Sequence, residues 1–154
     1  MTSITARNYK QLGMESIPLY FNHGRRLAAI HRRRRRRGRG VRVPVAALVV
    51  AEQLPDGDPQ KPLALAYQKA YRDAYKEPIS TFGGHAYDSL IIAIEAIKRA
   101  GGPDHAKMRD EIEKTKGFNG IDGIFNMSPT DHLGLTLESF KMVEVRNNGW
   151  KLLY

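Results

Sequence analysis

Five histidines, His23, His31, His85, His105 and His132, are the first residues to weigh for chemistry. None has the H-x-x-x-H spacing that turns two imidazoles toward one metal, and no two share a predicted helix face. The chain has no cysteine, which excludes disulfides and thiolate metal sites. Asp131-His132 lies in a predicted loop with no nucleophile beside it. No G-x-x-x-x-G-K-S/T loop, G-x-S-x-G elbow or G-x-G-x-x-G fingerprint occurs. No catalytic residue, metal or cofactor is therefore assigned, and the chemistry left is binding. Phe82-Gly83-Gly84-His85 puts an aromatic ring and two permissive glycines at a predicted helix start. Free backbone N–H groups there can receive a carboxylate.

The element that positions this tetrapeptide is the most strongly patterned stretch of the chain, Pro78 to Gly102. Ser80 or Thr81 can cap its start. Ala86, Leu90, Ile94 and Ile97, with Ile91 and Ala93 beside them, recur at helical spacing and predict the packed face. Asp88, Glu95, Lys98 and Arg99 fall mostly off that face, Tyr87 is read as core, and Gly101-Gly102 ends the helix. Upstream, Met1 to Met14 reads as a helix end, and Ile17 to Phe21 as a short strand closed by Asn22-His23-Gly24. Val41 to Val43 alternates like a strand that Ala46 to Val50 extends past Pro44. A turn-rich connection over Pro55 to Pro62 precedes a helix patterned on Leu63, Tyr67, Ala70, Tyr71 and Ala74. Downstream, Asp104 caps a shorter helix whose buried side is marked by Ala106, Met108 and Ile112. Ile121 to Met127 is strand-like. Phe140 to Val145 and Trp150 to Leu153 flank Asn147-Asn148-Gly149, a strong hairpin signal. Helices alternating with short strands predict the α/β class, with the hairpin as an antiparallel edge.

The composition bounds the partners. At 154 residues and 42% hydrophobic content the chain can build a core, and no apolar run approaches a membrane span. The N-terminus lacks the basic-then-apolar layout of a signal peptide. The net charge of +9 is local: nine arginines lie within Arg25 to Arg39. Subtracting them from 25 Lys and Arg leaves 16, against 16 Asp and Glu. Outside that stretch the chain has no phosphate-seeking character.

The segment S-T-F-G-G-H-A-Y-D-S-L resembles the solute-binding proteins of ABC importers, in the branched-chain amino-acid-binding family with the type I periplasmic binding fold. N-Y-K-Q-L-G-M, P-L-Y-F-N-H-G, L-V-V-A-E-Q-L-P-D-G-D-P-Q-K and E-K-T-K-G-F-N-G-I-D-G-I-F-N-M-S-P-T-D-H-L-G-L follow the family's order and spacing, as does the closing strand pair. The resemblance spans nearly the whole chain except Arg25 to Arg39. It implies two Rossmann-like lobes joined by crossovers, with a small molecule bound in the cleft between them. By the same resemblance the chain is a C-terminal portion of that fold. Residues 1–50 are the remainder of the second lobe, 51–127 mainly first-lobe helices and a strand after a hinge crossing, and 128–154 the hinge return and C-terminal strand pair. The crossings are expected near Val50 to Gln60 and Asn126 to Leu135. The resemblance also implies ligand-binding roles for Asn22, His23, Phe82, Gly83, Gly84 and His85, with Phe82 as an aromatic wall. Leucine-binding members carry an acidic residue near His23 that pairs with the ligand ammonium. A histidine there opens the ligand class to carboxylic acids without an amine.

Three readings meet at Arg25 to Arg39. Paired guanidinium donors suit phosphate, but no aromatic is interleaved for base stacking. A like-charge block without a partner is a solvated loop. In the family the equivalent stretch reads like G-V-A-S-P-x-F-I, then an Ala-rich helix. Shifting the reading frame by one base lets Arg25 and Arg26 become Val and Ala, Leu27 Ser, Ala28 Pro, Ile30 Phe and His31 Ile. Arg32 to Arg37 then become Ala or Gly. The length is preserved, so the sequence supports a compensated pair of frameshifts. The function expected is capture of branched-chain amino acids or a related amino or organic acid, by a periplasmic parent that presents it to an ABC permease. Without a leader, the chain itself would stay cytoplasmic. The alternatives are a small basic nucleic-acid-binding protein and an inactive truncated product.

Overall fold

Valines at alternating positions build the first of two units, Met1–Val45 with Lys141–Tyr154. The structure, a computed structural model, describes residues 2–22, 40–146 and 149–154. His23, the arginine-rich segment 25–39 and Asn147-Asn148 lie outside the described residues. Strand β1 (Arg42–Ala46) buries Val43 and Val45, and β4 (Phe140–Arg146) buries Val143 and Val145. β4 pairs antiparallel with β5 (Gly149–Leu152), with Val143 opposite Leu152 and Val145 opposite Trp150. The sheet order is β1-β4-β5, so the predicted hairpin forms and β4 is the central strand. Helix α1 (Thr2–Gln11) ends before Gly13, which takes φ +65°. The predicted strand Ile17 to Phe21 shrinks to a parallel bridge between Tyr20 and Arg42, with Arg42 N–H donating to Leu19 O and Phe21 N–H to Arg42 O. The Arg42 guanidinium lies 5.6 Å from the Tyr20 ring centroid and donates to its hydroxyl.

The second unit, Ala46–Phe140, is helical. The expected extension past Pro44 reaches only Ala46, the last residue of β1: Ala47–Gln53 winds into a 3-10 run with a kink at Val50. This places Leu48 and Ala51 in a core cluster with Ala64 and Ile121. Helix α2 (Gln60–Tyr75) stops at Lys76, whose φ of +55° makes it a left-handed cap. Helix α3 (Thr81–Ala100) stops at Gly101, and the shorter α4 (His105–Glu113) starts at Asp104, whose carboxylate accepts from Lys107 N–H. The predicted strand Ile121 to Met127 is cut to Ile124–Phe125 (β3), paired with Phe118–Asn119 (β2) across a Gly120–Gly123 turn.

The packed faces of the helices differ from the hydrophobic periodicity. On α3 the buried residues are Gly84, Asp88, Ile92 and Ala96, whereas Leu90 is 59% exposed and Ile94 36%. On α2 they are Gln60, Ala64 and Gln68; Leu63, Tyr67 and Tyr71 are half-buried, and Ala70 and Ala74 are exposed. On α4 Met108 and Ile112 are half-buried and Ala106 is exposed. The cause lies in what these helices pack on. Gln68 Nε2 donates to Leu48 O at 2.7 Å, and Gln60 Nε2 donates to Gly120 O and Ile121 O. The 3-10 run and the turn thus present bare backbone groups, and polar side chains turn inward to satisfy them.

Candidate functional site

Ser80 sets the geometry at the start of α3. It is extended, and its hydroxyl accepts from Gly83 N–H at 3.2 Å. The N–H groups of Gly83 and Gly84 also donate to Ser80 O, so both are engaged within the cap. Of the two predicted caps, Ser80 is the one used. Phe82 stands 75% exposed on this fixed first turn. Gly83 lies beneath the Tyr67 hydroxyl, which would sit 2.8 Å from an added Cβ. Gly84 is buried, and a Cβ there would meet Asp122 Oδ2 and Leu48 Cδ2, each at 2.9 Å. Its lack of a side chain is what lets α3 approach the turn so closely.

His85 completes the group. Its Nδ1 is 2.6 Å from Oδ2 of Asp122, whose side chain is 1% exposed, while the imidazole is 46% exposed. A buried carboxylate therefore orients a ring that faces solvent. Behind it, Asp88 Oδ1 accepts from Ile121 N–H at 2.8 Å and Oδ2 from Asp122 N–H at 2.9 Å. Burial pushes the Asp88 carboxyl above its ordinary value, opposed by those two bonds and by the nearby His85. Burial likewise raises the Tyr67 phenol, with Tyr71 and then Asp122 adding to it. Gly120 belongs to the same arrangement, since a Cβ there would lie 2.6 Å from Asp88 Oδ2.

The structure thus gathers Phe82, Gly83, Gly84 and His85 on one helical turn, and places Asn22 separately, exposed on the first unit. Tyr87 is not core: it is 37% exposed, with its ring centroid 5.2 Å from that of Tyr67. Asp88, Asp122 and Gly120 escaped the sequence reading because an acid among isoleucines reads as a solvent position. The available signal was Gly84, Asp88, Ile92 and Ala96 at steps of four, with small residues at both ends. Asp131 caps its own loop, accepting from Leu133 and Gly134 N–H, and His132 pairs with Glu113 at 3.1 Å. Among the described residues no cluster of His, Asp and Glu is placed to hold a metal, and no helix is long and apolar enough to cross a membrane.

Comparisons with known proteins agree with this α/β architecture. No curated protein matches the sequence. An extracellular ligand-binding receptor from Rhodopseudomonas palustris superposes with a TM-score of 0.77 at 26% identity, over 87% of this chain and 39% of its own. A leucine binding protein from Thermotoga maritima gives 0.74 at 21% identity, over 99% and 40%. A putative branched-chain amino acid ABC transporter protein from Rhodospirillum rubrum gives 0.72 at 23%, over 96% and 40%. The chain spans about two fifths of the length of these structures. The profile of the family described as periplasmic binding protein matches residues 43–149, more than half of the sequence. The chain belongs to the periplasmic binding protein family, with a partial type I fold.

Proposed function

We propose that this chain is the C-terminal portion of a solute-binding protein of an ABC importer, and that the first turn of α3 supplies ligand contacts. The observation that carries the reading is Phe82, a 75% exposed aromatic beside a histidine held by a buried carboxylate. An exposed apolar ring next to an oriented polar group suits a small molecule with an apolar side chain and a charged end. The imidazole of His85, oriented by Asp122, is the polar group beside the ring in this proposal. Gly83 and Gly84 contribute by letting this turn pack closely under Tyr67 and against Asp122 and Leu48, which fixes where Phe82 and His85 stand. Asn22 and His23 are named as further ligand residues in this proposal on the sequence resemblance alone.

The ligand class is branched-chain amino acids or a related amino or organic acid, in keeping with the leucine binding protein among the similar structures. The full-length parent acts in the periplasm and delivers its ligand to an ABC permease. The passages between units, at Val45–Ala46 and Phe140–Lys141, lie just outside the expected crossings and correspond to them in this proposal. A chain covering two fifths of the fold binds ligand with the parent's affinity only after the fold is completed. The test is to complete it with the remainder of the R. palustris receptor and measure thermal shifts against amino acids and carboxylic acids. A concentration-dependent rise in Tm with at least one of them is expected. A folded, completed protein that responds to none overturns the proposal.

A further inference from the structure

Two carboxylates with almost no solvent contact meet at one turn. Asp88, on α3, is 1% exposed, and Asp122, between β2 and β3, is 2% exposed. Burying ionisable groups is costly unless each is tied down. Asp88 is tied to the turn through the N–H groups of Ile121 and Asp122, and Asp122 is tied back to α3 through its carboxylate and His85. His85 stands three residues before Asp88, so the contacts close a loop from helix to turn and back to the same helix. Two glycines make room for it. A Cβ on Gly84 would meet Asp122 Oδ1 at 3.1 Å as well as Oδ2 at 2.9 Å, and one on Gly120 would lie 2.8 Å from Asp88 Cγ. On its other side the turn is held at the start of α2. Gln60 Nε2 donates to Gly120 O at 3.2 Å and Ile121 O at 3.3 Å, and Asn119 Nδ2 donates to Pro59 O at 2.7 Å.

Of the three side chains in the loop, the His85 imidazole is the one that reaches solvent, at 46% exposure. The Asp88 carboxylate by itself caps both N–H groups of the turn, and the Asp122 carboxylate is turned to the ring. We infer that Asp88 is a positioning residue for the site on α3. By fixing the backbone at Ile121 and Asp122 it sets where the Asp122 carboxylate stands, and hence the direction of the His85 ring. Asp88 itself is too buried to touch a solute. Groups that contact a ligand hold their geometry only when the residues behind them are fixed in turn. What the inference says of affinity rests on the reading of His85 as a solute contact, whereas the positioning is measurable with no solute present.

The test begins with Asp88→Asn in the full chain, recording the imidazole nitrogen NMR signals of its histidines without solute. The His85 signals should move, those of His105 and His132 should not, and helix content by circular dichroism should stay the same. Gly120→Ala, which presses a methyl against the same carboxylate, should move them too, while Gly57→Ala, in open space, should not. Affinity is then measured in the protein completed with the remainder of the R. palustris receptor, against leucine, isoleucine, valine and aromatic carboxylic acids. Asp88→Asn should weaken binding at least fivefold, but less than twofold when His85→Gln is already in place. A residue that served folding alone would cost the same in both backgrounds. His85 signals that stay put in the folded variants, or equal losses of affinity in both backgrounds, overturn the inference. Moving signals in a completed protein that binds none of these compounds would sink the transport reading and leave the positioning of His85 by Asp88 standing.

Discussion

The Asp88 carboxylate receives the backbone N–H groups of Ile121 and Asp122, residues 33 and 34 positions further along the chain. This contact ties the middle of α3 to the turn between β2 and β3, and the turn returns the tie through Asp122, whose carboxylate holds His85. The orientation of the exposed imidazole therefore depends on a buried acid that touches no solvent.

Asp88→Asn should destabilise the second unit by about 1–3 kcal/mol, because an amide turns one N–H donor toward another. Urea melts of the two proteins measure it. The pH dependence has a definite sign. Burial raises the Asp88 carboxyl in the folded chain, so between its ordinary value and that raised value the folded state holds the proton more tightly than the unfolded one. The Asp88 contribution to stability thus falls as pH rises through that window, starting from about 4. Asp88→Asn should remove that part of the slope; an unchanged slope would mean the group titrates as in the unfolded chain.

Gly120→Ala forces a Cβ to 2.6 Å from Asp88 Oδ2 and 2.8 Å from Phe125 Cε2. A loss of about 1–3 kcal/mol is expected from overpacking. Gly57→Ala has open space and should stay within about 0.5 kcal/mol of the parent. Equal melting behaviour of the two variants would show that the turn yields freely.

How legible this was in the sequence differs by element. The hairpin and the ends of α3 were, because Asn-Asn-Gly, Ser80 and Gly101 act through local backbone chemistry. The buried faces of α2 and α3 were not. Periodicity reports where apolar residues lie on a helix, whereas Gln60, Gln68 and Asp88 turn inward to satisfy backbone groups distant in sequence. Leu90 and Ile94 form the stripe the pattern singled out, and it faces out. Phe82 and His85 could be named from the sequence, but the role of Asp122 in holding His85 depends on folding across 37 residues.

Phe82→Ala, made in the completed protein, should weaken ligand binding by about 1 kcal/mol or more through lost apolar contact. At 75% exposure the ring contributes little to packing in this chain, so stability should change far less than affinity. Affinities untouched for every ligand would remove Phe82 from the site.

The arginine-rich segment gives a separate prediction. Six consecutive arginines bring like charges together with no acid in the segment to pair with, and unpaired guanidinium groups are costly to bury. Replacing 25–39 by the frame-restored Ala-rich sequence should raise Tm and solubility at equal salt. A restored version no more stable would make the arginines native to the protein. Salt-sensitive nucleic-acid binding would then become the function to test.

The most direct measurement is titration calorimetry of the chain alone and of the completed protein, against leucine, isoleucine, valine and aromatic carboxylic acids. The account predicts no saturable heat from the chain alone and saturable, micromolar binding of at least one compound once the fold is completed. Micromolar binding by the chain alone, or a completed and folded protein that binds none of them, would contradict it.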